Sequence, residues 1–107
     1  MPVRHTFNEL AKAFIHEENM EKAQRVMEYA FENLYHPHLP PCYTNLEAAE
    51  VMIMLGETDR AWELVQTLHH YSKSRIELEQ RERRSPSRLD VFLLERSREL
   101  LAALDER

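Results

Sequence analysis

The chain predicts an all-α fold, two antiparallel helical hairpins followed by a C-terminal helix. Three observations carry this expectation. Residues 19–27 and 57–65 align without a gap, and Ala23 and Ala61 hold equivalent places 38 residues apart. A period in that range marks stacked helical hairpins. Apolar residues recur at helical spacing along most of the chain, while period-2 alternation persists nowhere, so no sheet is expected. Gly56 is the only glycine, which argues against tight β-hairpins and glycine-rich phosphate loops.

The first helix is expected over about Thr6–Glu17, where Phe7, Leu10, Ala11 and Phe14 fall on one face. Glu17, Glu18 and Asn19 form a polar turn, and Asn19 suits an N-cap because its side-chain oxygen can accept a first-turn amide. The second helix then runs to about Tyr35 with Ala23, Met27, Ala30, Phe31 and Leu34 facing the core. Pro37, Pro40 and Pro41 stop it, since proline lacks an amide donor and restricts the residue before it. A third helix begins near Tyr43, with Thr44 and Glu47 at capping-box spacing. It ends at Leu55, where Gly56 can take the left-handed cap conformation. Thr58 is placed to cap the fourth helix, whose core face holds Ala61, Trp62, Leu64, Val65 and Leu68. Ser85-Pro86-Ser87 is a break, and Ser87 with Asp90 has the spacing of a second cap. The last helix carries Leu89, Phe92, Leu93, Leu100, Ala103 and Leu104.

These residues resemble tetratricopeptide (TPR) repeats. Phe7, Leu10, Ala11, Phe14, Ala23, Met27 and Ala30 follow that family's order of large and small residues, with Pro37 slightly late for its closing proline. Ala48, Ala49, Met52, Gly56, Ala61, Val65 and Leu68 repeat the order. Departures are Glu18 where glycine is usual, Asn45 in place of the aromatic, and no closing proline in the second unit. The resemblance covers residues 5–72. It implies one helical-repeat domain over residues 1–107, with hairpins at 5–36 and 43–72 and a helical extension over 73–107, arranged as a right-handed superhelix fragment. The proline-interrupted hairpins and the helix after Tyr71 are also similar to the soluble tail of bacterial membrane proteins of the protein O-mannosyltransferase family. That resemblance implies an accessory domain of a glycosyltransferase-like protein, with no sugar chemistry in these residues.

The TPR resemblance implies a non-enzymatic interaction or scaffold module with a protein or peptide partner. In that family the first helix of each hairpin lines a groove. By position, the protein-binding residues are Asn8, Glu9, Lys12 and Ile15, flanked by His5 and His16, and Tyr43, Leu46, Glu47, Glu50, Ile53 and Met54. Asn8 and Lys12 occupy two places of the family's carboxylate clamp in swapped order, and the second unit offers no basic residue, so clamp binding is not expected. The third helix is apolar nearly all round from Leu46 to Leu55, which demands burial all round. Its cover is expected to be either the C-terminal helix or the same surface of a second chain, making a homodimer.

The remaining chemistry is sparse. His36, His38 and Cys42 share a loop but lack the paired spacings of a zinc site, so no metal and no cofactor are expected. His69 and His70 are adjacent and point to different helix faces. Cys42 has no evident orienting group or oxyanion site, and Glu47 with Glu50 reads as an acidic surface, so no catalytic residue is assigned. A small metal- or thiol-dependent enzyme is the alternative that a site at Cys42 would favour. Arg81–Ser87 resembles a basic kinase target, but also a charged helix end before a capped turn.

The net charge is −5. Residues 1–72 carry five basic and 11 acidic side chains, whereas residues 73–107 carry nine and eight. Acidic residues are interleaved with the basic ones, so no nucleic-acid or membrane patch is expected. No stretch approaches the ~20 apolar residues of a membrane span, and no signal peptide is expected. A soluble protein is expected, with a slight preference for the cytoplasm.

Overall fold

The computed structural model describes residues 2–35 and 41–105, and the fold over them is all-helical. Five helices follow in order: α1 (Pro2–His16), α2 (Met20–Asn33), α3 (Tyr43–Met54), α4 (Thr58–Arg81) and α5 (Arg88–Asp105). Short turns join α1 to α2 and α3 to α4, and each pair packs together as a hairpin. α4 continues past the expected end of the second hairpin at residue 72, so the supposed extension begins inside a helix. Its second half turns back into α5, making a third hairpin.

Three of the helix ends close in the same way. After α3, Gly56 takes φ +79°. Its amide donates to the Ile53 carbonyl at 3.0 Å, and the next amide, of Glu57, donates to Met52 at 2.8 Å. These bonds satisfy carbonyls that a helix end leaves without partners. After α1, Glu18 takes φ 60°, with the amides of Glu18 and Asn19 donating to Ile15 and Phe14. Arg83 does the same after α4 at φ 58°. Glu18 and Gly56 are 38 residues apart, like the two alanines. The first turn therefore keeps the geometry of the second without its glycine, at a cost of roughly 1–2 kcal/mol for a residue with a Cβ.

The N-terminal caps follow the sequence only in part. Asn19 accepts the Lys22 amide at 3.3 Å, and Ser87 accepts the Asp90 amide at 3.1 Å. The Thr44–Glu47 box does not form. Cys42 is the cap of α3, its amide donates to Asn45 Oδ1 at 3.3 Å, and Thr44 lies fully buried in the first turn. Thr58 is likewise inside α4, behind a Glu57 cap. α1 starts four residues early, at Pro2, a favoured first helical residue because its missing amide would have no partner there.

The core runs between the hairpins. Ala11, Met27, Ala48, Ala49, Val51, Met52, Ala61, Leu64 and Val65 form one buried cluster. Leu46, Leu68 and Leu93 form a second, with Leu100 packed against it. α3 is the central element: seven of its 12 residues are buried. Leu10 and Trp62, expected in the core, are 42% and 43% exposed. In place of Leu10, α1 turns Arg4, Asn8 and Ala11 inward. Phe7 lies at the hairpin surface, stacked on Tyr29 with ring centroids 5.5 Å apart.

Ala23 and Ala61 are both fully buried. A side chain this small lets helix axes approach to the short end of the ~8–10 Å packing range. Ala23→Leu and Ala61→Leu should therefore each cost about 1–3 kcal/mol by overpacking, read as a drop in urea midpoint. Unchanged midpoints in both variants would show that the repeated register has no packing role.

Candidate functional site

The groove residues expected from the sequence divide into an outer row and a buried row. On α3, Tyr43, Glu47, Glu50 and Met54 succeed one another by four, three and four residues and so share one face. Tyr43 is 44% and Met54 54% exposed, with Glu47 and Glu50 partly exposed between them. On α1, His5, Glu9, Lys12 and His16 have the same spacing; all are exposed except the half-buried Lys12. His5 Nδ1 lies 3.0 Å from Glu47 Oε2 and 3.1 Å from Oε1, which brings the two rows side by side. Lys12 Nζ is 3.4 Å from Glu9. Glu50 lies 4.0 Å from Arg96 of α5, so the last helix forms the far edge of the face.

The inner row is not available to a partner in this conformation. Asn8 is fully buried and donates to the Tyr35 hydroxyl and the Thr44 carbonyl, both at 3.3 Å. It cannot line an open groove, and its amide is unavailable for a carboxylate clamp. Leu46 is buried under Leu93 and Leu100. Ile15 and Ile53 are half-buried and pack against the main cluster. Of the two covers expected for α3, α5 supplies one, through Leu93 and Leu100. Met54 stays exposed, and Leu89 and Phe92, expected in that contact, are 58% and 51% exposed.

Beneath the face lies a polar cluster that sequence reasoning missed. Arg4 is buried, donates from Nε to the Leu34 carbonyl at 2.7 Å, and sits 4.7 Å from the centroid of the Tyr35 ring. Its Nη1 reaches Cys42 Sγ at 3.7 Å. The Tyr35 hydroxyl donates to Thr44 O at 3.0 Å. Burial raises the Tyr35 hydroxyl pKa, and the opposing hydrogen bonds with Asn8 and Thr44 only reduce the rise. At Cys42, burial pushes the thiol up, but hydrogen bonds from Thr44 and Arg4 outweigh it and leave the pKa lowered. His36 and His38, weighed with Cys42 as a zinc site, lie outside the described residues.

Glu47 and Glu50 face different partners. Glu47 lies 3.0 Å from the His5 imidazole nitrogen and Glu50 4.0 Å from Arg96. A signal for the His5 arrangement was present in the sequence: His5 and Glu9 are four residues apart and share a helix face. Nothing local indicated that Glu47 would join them.

Among the described residues no helix is long and apolar enough to cross a membrane. No family model matches this chain, and no curated protein or solved structure matches it either.

Proposed function

We propose that the chain is a non-enzymatic, TPR-like interaction module whose α1–α3 face takes a peptide with basic and apolar side chains. The observation that carries this is the row Tyr43, Glu47, Glu50, Met54. It sets two partly exposed carboxylates between two large exposed apolar groups, beside the acidic Glu9 of the neighbouring helix. Exposed aromatic and methionine side chains are enriched at interface cores, and Glu9, Glu47 and Glu50 outnumber Lys12 and Arg96 on this face, an excess of negative charge that favours a basic partner. Met54 adds adaptability, because its unbranched side chain can repack against different partners.

An array of basic–apolar and acidic–apolar peptides, read by fluorescence anisotropy, tests the reading. The wild-type chain should prefer basic peptides. Glu50→Lys with Met54→Glu should weaken binding at least tenfold while the circular dichroism spectrum is retained. The Glu50–Arg96 pair that this breaks is exposed and contributes little stability. Failure of every peptide to bind, or equal binding of both classes unaffected by the double variant, would remove the proposal.

A further inference from the structure

We infer that His5, Glu9 and Glu47 form a binding site for a divalent transition-metal ion that clips the first hairpin to the second. His5 and Glu9 project from successive turns of α1, and Glu47 comes from α3, 42 positions beyond His5. One ligand atom from each lies within 4.8 Å of the other two. The imidazole nitrogen is already 3.0 Å from a Glu47 oxygen. Zinc binds such nitrogen and oxygen atoms at about 2.0–2.2 Å, which in a tetrahedron places them roughly 3.3 Å apart. Two of the three edges of the site therefore depend on Glu9, whose carboxylate lies 3.4 Å from Lys12 and would have to turn away from it to ligate.

Charge and ligand type point to the class of ion. A neutral imidazole with two carboxylates cancels a 2+ charge. Imidazole suits zinc, cobalt and nickel, whereas magnesium and calcium favour all-oxygen shells. Three protein ligands leave at least one coordination position to water, and the partial exposure of His5 and Glu47 gives an ion access. Because the ligands sit on two helices from different hairpins, the ion would bind only when these are packed. Binding is thus linked to folding. Zinc held at about ten times its dissociation constant shifts the folding equilibrium roughly tenfold. For a domain of this size that corresponds to a rise of about 5–10 °C in the melting midpoint. The inference does not rest on the peptide reading, but the two share Glu9 and Glu47, so zinc and a basic peptide would compete for these carboxylates.

Titration calorimetry of tag-free protein with zinc chloride is the test. One zinc per chain should bind, magnesium at the same concentrations should not, and Cys42→Ser should bind as wild type does. His5→Ala, Glu9→Gln and Glu47→Gln should each weaken binding at least tenfold. As a check that needs no variant, cobalt(II) bound to the wild-type chain should show ligand-field bands without a thiolate charge-transfer band. No zinc binding up to millimolar concentration, full binding by His5→Ala, loss in Cys42→Ser, or a thiolate band would each overturn the site.

Discussion

Removing residues 85–107 should leave a chain that no longer folds as a stable monomer. α5 packs along α4 and touches α3. Leu93 is buried against Leu46 and Leu68, Leu100 packs on the same cluster, and Leu101 and Leu104 reach the main core. Deleting the helix loses the burial of Leu93 and Leu100 and uncovers Leu46 and Leu68. At roughly 1.5–3 kcal/mol for each of the three buried leucines Leu46, Leu68 and Leu93, the gross loss is at most about 4.5–9 kcal/mol, comparable with the whole margin of an ordinary domain. Polar contacts are lost with it. His69 Nδ1 lies 3.3 Å from the buried Ser97 hydroxyl, and Arg75 pairs with Asp90 at 3.5 Å. Burial raises the Asp90 carboxyl pKa, but hydrogen bonds with Glu79 and Ser87 and the charge of Arg75 outweigh it and hold the group below its usual value. Thermal melts and light scattering of the truncated chain give the answer. Aggregation or a broad, non-cooperative melt is expected. A stable dimer would mean that a second copy can replace α5 as the cover of α3. A soluble monomer with a cooperative melt near the wild-type midpoint would show that the burial contributes far less than its area implies.

Arg4→Ala should cost about 2–4 kcal/mol, the lost charge-assisted hydrogen bond adding to the cavity left behind. The reason lies at the end of α2. The last carbonyls of a helix have no partner in their own helix, and the C-terminus carries partial negative charge. Leu34 is the C-cap of α2, and its carbonyl accepts from Arg4 Nε at 2.7 Å. A cation on α1 thus caps the helix beside it while its guanidinium lies over the Tyr35 ring. Arg4→Lys should recover only part of the loss, because an ammonium cannot reproduce the planar fork that reaches Leu34 and Cys42 together. Urea unfolding of the two variants measures both effects. A loss under about 1 kcal/mol for the alanine variant, the level of an ordinary surface change, would show that water serves the α2 terminus as well.

Helix number, order and turns were legible in the sequence because they depend on neighbours within a turn or two. The equivalence of Ala23 and Ala61, the left-handed Gly56, and the caps at Asn19 and Ser87 are local signals, and each appears in the structure. Misplaced details had local competitors. Thr44 and Thr58 both look like caps, yet Cys42 and Glu57 hold those positions, and the threonines fall one or two residues inside. Leu10 and Trp62 look like core by hydrophobicity, but the register of each helix turns them outward.

The candidate face was legible by spacing and misjudged in depth. Periodicity places Asn8 and Leu46 beside Glu9 and Glu47 on their helices. It cannot report that Tyr35 and Thr44 close over one and Leu93 and Leu100 over the other. By itself the sequence determined the helices, the pairing of α1 with α2 and of α3 with α4, and the demand that α3 be covered, since these follow from propensity, turn chemistry and apolar surface along a single segment. The tertiary structure alone decided that α5 is the cover, that buried Arg4 caps α2, and that His5, Glu9 and Glu47 meet. Each of these joins residues far apart in the chain, and only the packing of whole helices fixes the distance between such residues.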